Sequence, residues 1–240
     1  MDEKIILEGE NVKITSENSI FKIEFKYSSY PLINSLIKTR LIQGGSTDET
    51  YKRIRFKAGS VKTLDEFKND KMISQGRKNL LVSDVANMVR SLSAQLNYLI
   101  TKQSHTILGY NPTDIIVIND EKFAFLGSEL VANIDTDEGY EMATISCPFS
   151  TSDFFVSPEL LKIKEIPSTI HYKTAYFSLG LLLIYVLLED DDFYKDYLKH
   201  KQSEKILESL NSHPVKNTRI YWLLSRCLVE EAKNRSIILI

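Results

Sequence analysis

The chain has 240 residues, 43% hydrophobic and 26% charged, with a formal net charge of −2. That length holds one large domain or two lobes with a substantial core, and the near-neutral balance gives no global case for nucleic acid or an anionic membrane surface. Cys147 and Cys227 are too few for a disulfide framework or a metal cage, and Met1 to Gly9 turns charged after three apolar residues, unlike a signal peptide, so the expectation is a soluble, cytoplasmic protein with no membrane span.

Residues 4–27 alternate apolar and polar in the manner of two or three strands, with Val12 to Thr15, a turn at Glu17-Asn18, and Ile20 to Tyr27. Pro31 opens a predicted helix over Leu32 to Gln43, with Leu32, Leu36 and Ile37 on one face, and Gly44-Gly45-Ser46 ends it. Tyr51 to Lys57 is a further alternating strand, and Thr63 to Lys68 a short amphipathic helical piece. The lysines and arginines between Lys52 and Lys78 read first as a solvated face and second as a site for phosphate or an acidic partner.

From Ser83 the character becomes helical. Ser83 is a plausible N-cap, with Asp84 at the positive end of the helix dipole. Val85, Met88, Val89, Leu92, Leu96, Leu99 and Ile100 then recur at helical spacing. Ile115 to Ile118, a turn at Asn119-Asp120, and Lys122 to Leu126 form a buried hairpin. Gly127 to about Phe155 is expected to be an irregular loop, and Pro158 sits at the first position of a new helix. Ala175 to Leu188 is apolar on every side and shorter than the roughly 20 residues that cross a bilayer, so it is predicted to be a buried helix, interrupted by Gly180. Two amphipathic helices follow, near Asp191 to Ser212 and Asn217 to Val229, with Trp222 of the second read as core-like.

Several strings resemble protein kinases. Tyr176-Phe-Ser-Leu-Gly180 resembles D-x-W-S-L-G at the start of the family's central helix. Ser157-Pro158-Glu159 resembles A-P-E, and Cys227 to Arg235 resembles the ending C-L-x-x-D-P-x-x-R. The likeness covers about residues 51–240, in the family's order, while residues 1–50 match in outline only. It implies an α+β, bilobal kinase-like fold, with a reduced β-rich N-lobe over 1–62 and a helical C-lobe over 63–240, together one domain. Glu159 and Arg235 stand where the family has a buried ion pair, so the two are expected in contact and largely buried. Ile107 and Leu126 put apolar groups in the family's hydrophobic spine.

The chemistry the resemblance implies is missing. Kinases need two metal ions, a strand lysine on the phosphates and an aspartate that takes the substrate proton. With Pro112 as the proline of H-R-D-L-K-P-x-N, the catalytic aspartate becomes Gly109, the loop lysine Asn111, and the metal-binding asparagine Asp114. Phe125-Leu126-Gly127 takes the place of D-F-G, and a phenyl ring cannot ligate Mg²⁺. The glycine-rich phosphate loop is missing, and Ala175 stands where an aspartate would brace the catalytic loop. Lys22 and Lys26 are the candidates for the strand lysine, and the helix opened by Pro31 has no acid to pair with either. The resemblance therefore implies a pseudokinase, with no catalytic residue and no cofactor, acting as a scaffold or allosteric partner. One alternative is an atypical phosphotransferase using ATP and Mg²⁺ through Lys22 or Lys26 and Asp114, and another is a purely structural subunit. Asp114 itself reads first as structural or solvent-exposed. No lysine or arginine lies between Lys122 and Lys162, while Glu129, Asp135, Asp137, Glu138, Glu141 and Asp153 do. That stretch is either a solvated loop or an acidic face for a basic segment of a protein partner.

Overall fold

A computed structural model describes residues 4–76, 79–135, 141–147, 155–188, 193–200 and 203–237. The chain opens with three antiparallel strands, β1 (Lys4–Glu8), β2 (Val12–Glu17) and β3 (Ile20–Phe25). Asn18 and Ser19 join β2 to β3 with φ of 51° and 61°, the left-handed pair that a two-residue hairpin turn demands. Helix α1 (Tyr30–Lys38) follows, then β4 (Ser46–Thr47) and β5 (Arg53–Lys57), and β5 returns to pair with β3. The sheet order is β1-β2-β3-β5-β4. Period two sends Phe21, Ile23, Phe25, Ile54 and Phe56 into the core and leaves Lys22, Glu24, Arg53 and Arg55 on the outer face.

α1 stops at Lys38, short of the predicted Gln43. Arg40 takes φ 58°, and the Ile42 amide reaches back to the Leu36 carbonyl at 3.1 Å, a C-terminal closure that satisfies helix carbonyls. Leu41 and Ile42 thereby enter the core from a turn, with exposures of 5% and 2%, which is why their apolar character mimicked a longer helix.

The next elements are β6 (Val61–Thr63), α2 (Leu64–Gln75) and α3 (Val82–Gln103). Thr63 and Glu66 form a reciprocal capping box at the start of α2, and Gly76 at φ 68° ends it, so that the helix runs to Gln75, seven residues beyond the predicted Lys68. Ser83 is not the N-cap of α3. That position is Leu81, in extended conformation and without a side-chain cap, while Asp84 in the first turn pairs with Lys71 at 3.1 Å.

Strands β7 (His105–Ile107), β8 (Gly109–Tyr110), β9 (Ile115–Ile118) and β10 (Lys122–Phe125) follow. β9 and β10 form the expected hairpin, with Asn119 and Asp120 left-handed at 54° and 57°, and β6 adds to the other edge of β9.

The segment from Gly127 to Phe155 was expected to be irregular, and much of its described part is strand. β11 (Val131–Asp135) pairs with β7, and β12 (Met142–Ile145) pairs with β11. β13 (Phe155–Val156) pairs with β8. After α4 (Pro158–Leu161), β14 (Ser168–His171) closes the sheet order β14-β12-β11-β7. Each of β11 and β12 buries only two side chains, Ala132 with Ile134 and Ala143 with Ile145, and a pattern that short is lost among acids.

α5 (Thr174–Leu187) is the buried helix, with every residue except Tyr176 and Tyr185 inside. A side chain at Gly180 would put its Cβ 3.0 Å from Leu228 and 3.2 Å from Cys227, so the glycine lets the end of a later helix lie directly on α5. Within the span predicted as one helix, Asp191 to Ser212, the described residues form α6 (Phe193–His200) and α7 (Ser203–Ser209), with a further helical turn at Leu210–Ser212. α8 (Arg219–Cys227) packs on α5 through Ile220, Leu223, Leu224 and Cys227, at spacings of three and four. That face leaves Trp222 outward and 53% exposed, contrary to its core-like reading.

The architecture is thus mixed α+β, small antiparallel sheets and several helices around one continuous apolar core. Among the described residues no helix is long and apolar enough to cross a membrane.

Candidate functional site

The residues singled out for chemistry gather where the segment β8 to β9 meets the end of β10. Gly109 in β8 is buried and lies opposite Val156 of β13 in a strand pair. Asn111 turns the chain: its Oδ1 accepts the Thr113 amide at 3.0 Å and starts the single helical turn Pro112–Asp114. The Asp114 carbonyl in turn accepts the Leu126 amide at 2.9 Å, which ties this turn to the end of β10.

Phe125 is wholly buried, and its ring meets Tyr110 edge-on at 5.1 Å between centroids. Its backbone is gripped from α3. Gln95 accepts the Phe125 amide at 3.0 Å through Oε1 and donates from Nε2 to the Phe125 carbonyl at 3.0 Å. The same Nε2 lies 3.2 Å from the Ser35 hydroxyl of α1. One fully buried amide therefore joins α3, β10 and α1. Sequence reasoning missed Gln95 and Ser35. The signal was present, since Gln95 interrupts the apolar stripe three residues after Leu92 and four before Leu99.

Leu126 and Ile107 are 1% and 0% exposed, so both sit in apolar packing. Gly127 makes a close approach: a Cβ there would stand 2.6 Å from the Phe125 ring and 2.7 Å from Asp114 Oδ2. The Asp114 Oδ2 atom is buried without a hydrogen-bond partner among the described residues. Burial first, then the negative Glu129 nearby, pushes the Asp114 carboxyl up to about 7.

Lys22 and Lys26 stand apart from this cluster in character. Lys22 Nζ lies 3.1 Å from Glu24 on the outer face of the first sheet, and Arg53 holds the same carboxylate at 2.6 Å. Hydrogen bonds from Arg53 and then Lys22 keep Glu24 below the usual carboxylate range. Lys26 lies over the Tyr27 ring at 5.6 Å. Lys22 lies on the outer face of β3 and Lys26, just after that strand, is exposed, whereas Phe125 is buried.

Mg²⁺ needs several hard oxygen donors in near-octahedral order. Here one carboxylate, Asp114, faces a phenyl ring and a glycine, and among the described residues no group of three or more His, Cys, Asp or Glu side chains is placed to hold a metal. These residues do not fit a metal–nucleotide centre.

Two other sets were singled out. Arg235 is wholly buried, and its guanidinium forks the Glu159 carboxylate, the second contact being 2.9 Å from Nη2 to Oε2. Glu159 stays 21% exposed, so it is less enclosed than expected. Arg235 also donates to the carbonyls of Val229 and Glu230, both at 2.7 Å, and lies 4.8 Å over the Phe177 ring. Ala175 is buried in the first turn of α5, and Ser178 one turn on donates to the Leu108 carbonyl at 3.2 Å, holding the chain just before Gly109. Of the acidic stretch, Glu129, Asp135 and Glu141 are exposed, and Asp135 accepts the Thr144 hydroxyl at 2.6 Å across β11 and β12. Asp137, Glu138 and Asp153 lie outside the described residues.

Comparison with known protein families finds no family that matches this chain, and comparison with curated proteins finds no match either.

Proposed function

We propose that the chain is a catalytically inactive, protein-kinase-like domain that works by binding a protein partner, as a scaffold or an allosteric subunit. The observation that carries this reading is the packing around Phe125. Where the resemblance calls for a metal-binding aspartate, a buried phenyl ring lies against Tyr110 with its backbone fixed by Gln95. Gly109, in place of the proton-accepting aspartate, has no side chain and is occupied in a strand pair. The bilobal, kinase-like arrangement is supported by a five-stranded antiparallel sheet with one helix between its third strand and the next, followed by helices around the buried α5. The Glu159–Arg235 fork supports it as well.

The partner surface belongs to the same reading. Glu129, Asp135 and Glu141, with Asp137 and Glu138 between them in sequence, offer negative charge to a basic segment. Asp114 is the one observation on the side of an ATP-dependent phosphotransferase, because perturbed buried carboxyls cluster at functional sites. A radiolabelled phosphoryl-transfer assay separates the two. The inactive reading expects no incorporation above background with Mg²⁺ or Mn²⁺. Incorporation that is abolished in Asp114→Ala contradicts it.

A further inference from the structure

Arg90, Ser93, Ala94 and Asn97 of α3 fall at spacings of three and four and so share one stripe of the helix surface. Because two of the four are small, the stripe sinks into a groove of about 350 Å³, bounded also by Leu96, Tyr176 of α5 and Ile237. Clefts that take small ligands span roughly 300–1,000 Å³. The apolar part of the wall is firm: Leu96 is 1% exposed, and Tyr176 and Ile237 pack against the main core.

One polar group at this groove is left incomplete by the fold. Arg90 is exposed and donates to Asn87 Oδ1 at 3.0 Å, and among the described residues no carboxylate pairs with it. Asn97, also exposed, adds an amide seven residues along the same stripe. A cation without an acid, beside an apolar wall, suits one kind of occupant: a body that is apolar and an end that is anionic. A single planar guanidinium matches a singly charged carboxylate in fork geometry and would leave a doubly charged phosphate half neutralised.

We propose that this groove binds a small amphipathic carboxylate, its acid against Arg90 and Asn97 and its apolar body against Leu96, Tyr176 and Ile237. Such a site stands whether or not the chain transfers phosphate. The acid's body is alkyl or aromatic, and two probes tell these apart. The full chain is titrated calorimetrically with decanoate and with 2-naphthoate, and with acetate as the acid that lacks a body. At least one of the two larger acids is expected to saturate with Kd at or below about 1 mM, and acetate is not. Arg90→Gln should weaken that binding about fivefold, the scale of one solvent-exposed charge contact. Ala94→Leu places a branched side chain in the groove from an exposed helix position and should abolish binding, with the melting temperature unchanged. The proposal is overturned if neither acid saturates by about 5 mM, or if acetate binds as well as they do. Binding that Ala94→Leu does not reduce places the ligand elsewhere and overturns it too. Binding that is lost in Ala94→Leu and unaltered in Arg90→Gln overturns the assignment of a carboxylate.

Discussion

Asp114 carries a carboxyl that the fold keeps protonated to near neutral pH, with burial and Glu129 as the causes. An unfolded aspartate releases its proton near 3.9. Between about pH 4 and about pH 7 the folded protein therefore holds a proton that the unfolded chain has lost, and this group's contribution to stability falls as pH rises through that window. Above it the deficit is complete, because the orphan Oδ2 must then be charged without a partner. Asp114→Asn should leave stability nearly unchanged at pH 3.5 and raise it by on the order of 1–3 kcal/mol at pH 8, read from urea denaturation at the two pH values. An equal effect at both would remove the titration of Asp114 from the explanation. Gly127 is the complementary case, where space and not charge decides. Its φ is an ordinary −69°, so strain is no part of the cause. Gly127→Ala would press a methyl between Phe125 and Asp114 and should cost about 1–3 kcal/mol, with the melting temperature as the measure.

At the scale of elements, the polar tie of Gln95 and the ionic tie of Arg235 hold segments that sequence separates widely. Gln95→Leu keeps the volume but leaves the Phe125 amide and carbonyl unsatisfied in a wholly buried place, together with one contact of the Ser35 hydroxyl. Each orphaned buried group costs about 1–3 kcal/mol, so the loss should exceed that of an ordinary core substitution and should raise hydrogen exchange at Phe125 above that of β9. Arg235→Met removes one partner of the fork and should cost about 3–5 kcal/mol, and it should loosen α4 and the chain after α8 together. What could be read from the sequence follows the same division. The α3 stripe was legible because its apolar positions repeat through 22 residues, and the α5 helix because nearly all of it is buried. The hairpin of β9 and β10 was legible because only three residues, Asn119 to Glu121, join its strands. β11 and β12 were not, because each strand is short and one of their partners, β7 or β14, lies more than twenty residues away. At the site, the identities of Gly109 and Phe125 could be read directly. The ring of Tyr110, the pairing to Val156 and the grip of Gln95 could not, since each depends on a partner brought in by the fold.

For the whole molecule, the proposed reading assigns binding to exposed charge and leaves the interior as a support. Glu129, Asp135 and Glu141 are exposed, so replacing them with Gln, Asn and Gln should change stability by no more than about 0.5 kcal/mol each. The same triple substitution should weaken the capture of a synthetic lysine- and arginine-rich peptide at low salt, chiefly by slowing association. Raising the salt to physiological strength should shrink the difference, as the screening length falls to about 8 Å. Equal capture by both proteins at low salt would reduce this surface to a solvated one. The central proposal, that the chain is kinase-like and yet handles no metal–nucleotide complex, is met most directly by a thermal-shift titration of the purified chain with ATP, alone and with Mg²⁺ or Mn²⁺. A ligand at a hundredfold excess over its Kd stabilises by about 2.7 kcal/mol, a shift of several degrees for a domain of this size. The expected result is no metal-dependent rise at millimolar ATP. A clear rise that requires the metal, and that Asp114→Ala removes, would contradict it.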